Sequence, residues 1–169
     1  MSLTQLLVPT YTQMLKTLSG WLEKVVAQLP SAEAEALLSA RLAPDMFPLA
    51  TQVRFACVQA HEALYRLRGE AFPASLAELL DEGRNAGDRP GSLASARTRI
   101  EETLALLDGV GPAALDGVPE RMIAHALPNG MIFDLTAEQY ARDWALPQFY
   151  FHLIPHMFAY LRPDTLPAE

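Results

Sequence analysis

Four stretches of this chain carry apolar side chains at alternating intervals of three and four, a period that fits an amphipathic helix with one buried stripe. From Pro9 to Leu29 the stripe is Tyr11, Leu15, Leu18, Leu22, Val25 and Leu29, with Pro9 in the first turn and Pro30 as the stop. From Leu49 to Arg68 it is Leu49, Val53, Ala56, Cys57, Ala60, Leu64 and Leu67, with Gly69 as the C-terminal cap. From Ser92 to Leu107 it is Leu93, Ala96, Ile100, Leu104 and Leu107. The last begins at Thr136, whose spacing to Gln139 is that of a capping box, and runs to Arg162 before Pro163.

The segments between them are short. Ser31 to Leu42 reads as a second helix, and Ala43 to Pro48 as a proline-punctuated connection. Phe72 to Leu80 reads as a short helix with Ser75 and Glu78 as its capping box, and Asp81 to Gly91 as a mobile loop. Arg121 to Leu127 and Met131 to Leu135 flank Pro128-Asn129-Gly130, which marks a hairpin. The expected fold is all-α. It is one domain over residues 1–169, a four-helix bundle with short extra helices and one β-hairpin before the last helix.

Composition narrows the function classes. The 169 residues are 50% hydrophobic, enough for a sizeable core. Twenty acidic against thirteen basic residues give a net charge of −7, and Lys16 and Lys24 are the only lysines. That balance argues against nucleic acid and against an anionic membrane surface as partners. A single cysteine, Cys57, excludes an intrachain disulfide and any CxxC motif. The N-terminal stretch lacks a basic region and a small-residue cleavage site. No run of eighteen apolar residues is free of polar interruption, so the expectation is a soluble, cytoplasmic protein.

The histidines carry the chemistry. His152 and His156 stand four apart in the aromatic-rich stretch Asp143 to Arg162, about 6 Å apart along one helix face. Imidazoles so placed can converge on one metal ion, and a third ligand must come from another helix. His61 lies on a core-facing helix, whereas His125 reads as an exposed hairpin residue. Three neutral imidazoles would leave a coordination position open to water or substrate. Pro155 deprives the carbonyl of Phe151 of its helical donor, and Pro147 does the same to Asp143, so both mark kinks. Cys57, one turn before His61, reads as a small buried hydrophobe, with a nucleophile facing the site as the alternative. Glu62, Tyr65 and Tyr160 are candidates for hydrogen bonds behind the site.

This layout of one histidine on the second long helix and H-x-x-x-H on the last resembles the DinB/YfiT-like superfamily of metalloenzymes. The stretches ARLAPDMFPLATQV (Ala40 to Val53) and ALPQFYFH (Ala145 to His152) are similar to a bacterial family within it known only as a domain of unknown function. The resemblance implies a DinB-like bundle and a divalent metal, zinc or nickel, on three histidines, which match His61, His152 and His156 by position. It also implies homodimers and, in some relatives, thiol-dependent transfer or isomerisation. Two functions compete: a metal-dependent enzyme on a small molecule, of transferase or hydrolase type, and a metal-free, non-catalytic homodimer that binds a ligand or serves a stress response.

Overall fold

The computed structural model describes residues 2–117, 121–127 and 129–161, with the helical backbone alone for 155–161. Helix α1 spans Leu3–Gln28, α2 Ser31–Ala36 with a 3₁₀ turn at Leu37–Ser39, α3 Leu49–Arg68, α4 Ala74–Asn85 and α5 Leu93–Asp108. Strands β1 (Met122–Ala126) and β2 (Ile132–Thr136) pair antiparallel, with His125 opposite Phe133. The helical α6 turn Ala137–Gln139 then leads through a π-helical segment, Tyr140–Ala145, into α7, Leu146–Leu161.

The long helices form a bundle around one core. Helix α3 is its centre, packing against α4, α5 and α7, while α1 packs on α5. Tyr11 of α1 meets Phe149 of α7 at 4.5 Å between ring centroids, closing the ring of four. The stripe Leu7, Tyr11, Leu15, Leu18, Leu22 and Val25 is buried, as its spacing requires. Thirteen of the twenty residues of α3 are buried, so this helix has neighbours on more than one side. Gly69 ends it in the left-handed conformation at φ 69°, where a Cβ would be disfavoured. Among the described residues no helix is long and apolar enough to cross a membrane.

Several boundaries differ from the sequence reading, each for a tertiary reason. Helix α1 starts at Leu3 and not at Pro9, because Asp116 accepts from the backbone N–H groups of Leu3 (2.6 Å) and Thr4 (3.1 Å), and Ser2 accepts from Gln5. Pro9 therefore sits inside the helix. The second helix stops being α-helical at Ala36. Helix α4 continues to Asn85, through half of the expected loop, because Gly83 lies against Phe55. A Cβ there would come within 2.5 Å of Phe55 Cε1, so glycine is the residue that lets α4 dock. Pro73 takes the N-cap place of α4 with no side-chain bond, so the Ser75/Glu78 capping box is not formed. The box of Thr136 and Gln139 is formed.

Two further expectations resolve physically. In the hairpin Gly130 takes positive φ, 85°, and no non-glycine residue described does so; Leu127 and Met131 close the loop through a 2.7 Å bond. Before Pro147 the helix answers the missing N–H by changing register: Leu146 N–H donates to the carbonyl of Ala141, five residues back. Pro155 and Pro163 lie outside the described side chains and residues respectively.

Candidate functional site

Helix α7 runs antiparallel to α3, so each polar residue of the last helix has a defined station on the central one. The π-helical segment packs on α3 and brings Tyr140 within reach of the charges of Glu62 and Arg66, near the C-terminal end of α3. At the other end His152 reaches Gln52 and Phe55.

His152 is 7% exposed, and its Nδ1 lies 2.8 Å from Gln52 Oε1. An amide oxygen only accepts, so Nδ1 carries the proton and donates it. This assigns the tautomer from the hydrogen-bond network: Nε2 holds the basic lone pair. The ring of Phe55 meets the imidazole edge-on at 5.3 Å, fixing its plane. An imidazole oriented through its far nitrogen is the arrangement metal-ligating histidines use.

His61 is held differently. Its Nε2 lies 3.1 Å from Thr103 Oγ1 of α5. The Thr103 hydroxyl donates to the carbonyl of Arg99 at 2.8 Å, so its oxygen accepts from His61 Nε2–H. Nδ1 then carries the lone pair, buried and with no hydrogen-bond partner among the described residues. Burial lowers the pKa of His61 to about 4, against a smaller opposing pull from Glu102, so the ring is neutral at pH 7.

In donor chemistry both histidines suit a metal. In position they part. Gln52 and His61 are nine residues apart on α3 (61 − 52), which is ~13 Å of helix axis and about two and a half turns. The two side chains therefore leave opposite sides of α3, His61 toward α5 and Gln52 toward α7. The described contacts do not bring His61 and His152 into one coordination sphere. Among the described residues no group of three or more His, Cys, Asp or Glu side chains is placed to hold a metal ion. The side chains of His156 and Tyr160 lie outside the described residues.

The remaining candidates fall elsewhere. Glu62 is half-buried, paired with Arg66 at 3.8 Å, and burial raises its carboxyl. Its charge reaches Tyr140, and Tyr65 stacks edge-on to Phe72 at 6.4 Å; the residue bonded to His152 is Gln52. Cys57 is buried, and desolvation pushes its thiol up to about 12, which makes it a core residue and not an activated nucleophile. His125, read from the sequence as exposed, is 4% exposed. It points inward from β1 over Trp144, 4.4 Å away, and Tyr140, 5.6 Å away. Gln52 was not among the sequence candidates, and nothing local marked it: its partner is on α7, 100 residues away.

A cleft of about 510 Å³ lies between α4 and α5 over the buried Arg54. Its charges compensate one another: Glu82 pairs with Arg54 and Arg99, and Arg99 pairs also with Glu102. That network joins α3, α4 and α5 and accounts for the cleft without a ligand.

Comparisons with known proteins agree with the fold. A solved structure of a DinB family member protein from Shewanella denitrificans is similar over 99% of this chain and 88% of its own, at 29% identity and a TM-score of 0.73. No curated protein matches the chain. The model for a domain of unknown function, DUF1993, matches residues 3–166. With its bundle, hairpin and continuous match, the chain belongs to the DUF1993 family and has a DinB-like fold.

Proposed function

We propose that this protein is a metal-dependent enzyme acting on a small molecule, by transfer or hydrolysis, with its centre at the His152 end of the α3–α7 seam. The observation that carries the reading is the 2.8 Å bond from His152 Nδ1–H to Gln52, which directs the basic Nε2 away from α3. His152 and, one turn on, His156 would hold zinc or nickel, and Gln52 would orient the first of them. A metal so held supplies Lewis acidity, polarising a carbonyl or lowering the pKa of a bound water or thiol. The chain's own part is to hold His152 in one tautomer through Gln52, and to shield it with Phe55. Phe47, Phe151 and Ile154 are 52%, 56% and 38% exposed around this end. They offer an apolar rim for the body of a substrate.

Metal analysis of tag-free protein after zinc or nickel supplementation tests this. The expected result is about one equivalent per chain, lost in His152→Ala and retained in His61→Ala. A content below about a tenth of an equivalent in the wild-type protein sinks the proposal. Loss of the metal in a folded His61→Ala would overturn the placement and return His61 to the ligand set.

A further inference from the structure

At the opposite end of the same seam, three buried polar atoms lack hydrogen-bond partners among the described residues: His125 Nδ1, Tyr140 Oη and Arg66 Nε. They share one neighbourhood. The rings of His125 and Tyr140 are 5.6 Å apart, and both groups feel the charge of Arg66. Arg66 Nε stands 3.8 Å from Glu62, an ion pair too long to be a hydrogen bond. Each unpartnered buried group carries a desolvation cost, so three gathered at one place call for a polar occupant.

Arg66 joins this neighbourhood to a surface cleft that His125 and Tyr140 do not themselves line. A cleft of about 340 Å³ is lined by Arg66, Arg121, Phe72, Met122 and Ile123, together with Gly69 and Glu70. Ile123 shares the inward face of β1 with His125, which sets the cleft beside the cluster. Its charged walls favour an anion. Glu70 is drawn off by Arg68 at 3.8 Å. Arg121 has no ion pair among the described residues and lies over Gly69, with Nη1 3.3 Å from the carbonyl of Leu67. Phe72 and Met122 are 43% and 58% exposed, an apolar surface next to two guanidinium groups. The Arg66 guanidinium lies 4.9 Å over the Phe72 ring, so the apolar and cationic parts are one surface.

We propose that this is a second binding site, for a small carboxylate with an apolar body. The carboxylate oxygens would accept from the guanidinium groups of Arg66 and Arg121, with Phe72 and Met122 along the body. This site is independent of the metal reading: it uses neither His152 nor Gln52.

Benzoate and its neutral counterpart benzamide are the probes, titrated into the full chain by calorimetry and by NMR. The indole N–H of Trp144, which packs on His125, is the local reporter, and that of Trp21 on α1 is the control. Saturable benzoate binding that moves Trp144 and not Trp21 is expected, with benzamide weaker by about tenfold or more. Arg121→Gln should weaken benzoate about tenfold, and Arg66→Gln, which removes the guanidinium over Phe72, should weaken it further. Binding in His152→Ala should match the wild-type protein. The proposal is overturned by an absence of saturable binding, by equal binding of benzamide, or by undiminished binding in Arg66→Gln and Arg121→Gln. Loss of binding in His152→Ala alone also overturns it, since the acid would then be at the other end of the seam.

Discussion

The two ends of the α3–α7 seam each bury a histidine, and they treat its hydrogen bonds in opposite ways. At one end His152 donates to Gln52 at 2.8 Å, and Phe55 stacks edge-on to it. At the other, His125 leans on Trp144 and Tyr140, with its Nδ1 and the Tyr140 hydroxyl both unpartnered among the described residues. A buried polar atom with a partner contributes orientation; one without a partner costs free energy until something polar reaches it. The first end aims a ring, and the second leaves polar atoms without partners among the described residues.

The largest difference should appear when one polar atom is deleted at each end. Gln52→Leu leaves the His152 Nδ1–H buried without that acceptor and should cost about 1–3 kcal/mol of stability. Tyr140→Phe removes an atom that has no partner to lose, and should change stability by less than about 0.5 kcal/mol or raise it. Urea midpoints of the two variants check this directly. Equal losses would erase the contrast and mean that Tyr140 has a partner in solution.

Acid should reveal the two buried histidines His61 and His125 next. Burial lowers His61 and His125 from 6.5 in the unfolded chain to about 4 in the folded one, with Arg66 adding to the effect at His125. Between those values the unfolded chain binds the extra protons. Their contribution to stability is therefore whole above pH 6.5 and falls as the pH drops toward 4. Glu62, raised by burial, works in the opposite direction above its ordinary value of 4.5. The comparison must thus be made against variants. His125→Leu and His61→Leu should each flatten the loss of stability between pH 6.5 and 4, by about one proton in the slope. Unfolding curves across that range, with an unchanged slope in both variants, would show that the rings titrate normally.

Much of this arrangement was legible in the residue order, and the failures share a cause. Periodicity placed α1, α3, α5 and α7, Gly69 announced the end of α3, and Thr136 with Gln139 announced the last helical run. What was missed depends on contacts distant in sequence. The start of α1 depends on Asp116, and the length of α4 on the fit of Gly83 to Phe55. The inward turn of His125 had a local signal that went unused. Ile123 and His125 are two apart on a strand, so burying the isoleucine buries the histidine. Gln52 had none, because its meaning comes from where α7 crosses α3. The H-x-x-x-H spacing drew attention to His152, whose Nδ1 bonds Gln52, while His61, the third histidine of the expected set, turns toward Thr103.

The smallest effect should come from the segment that separates the two ends. The π-helical turn Tyr140–Ala145 sits between Tyr140 and His152, and Pro147 follows it at once. If the proline alone imposed this register, restoring an N–H would let the helix rewind and rotate His152 relative to Tyr140. Both ends are anchored by packing, however: Tyr140 and Phe149 are fully buried, and His152 is held by Gln52. One added helical hydrogen bond contributes only about 0.5–1.5 kcal/mol, less than the cost of withdrawing those side chains from the core. Pro147→Ala should therefore raise stability by no more than about 1 kcal/mol and leave the His152 Nδ1–H resonance in place. Disappearance of that resonance in a folded variant would show that the proline, and not the packing at the two ends, sets the angle between them.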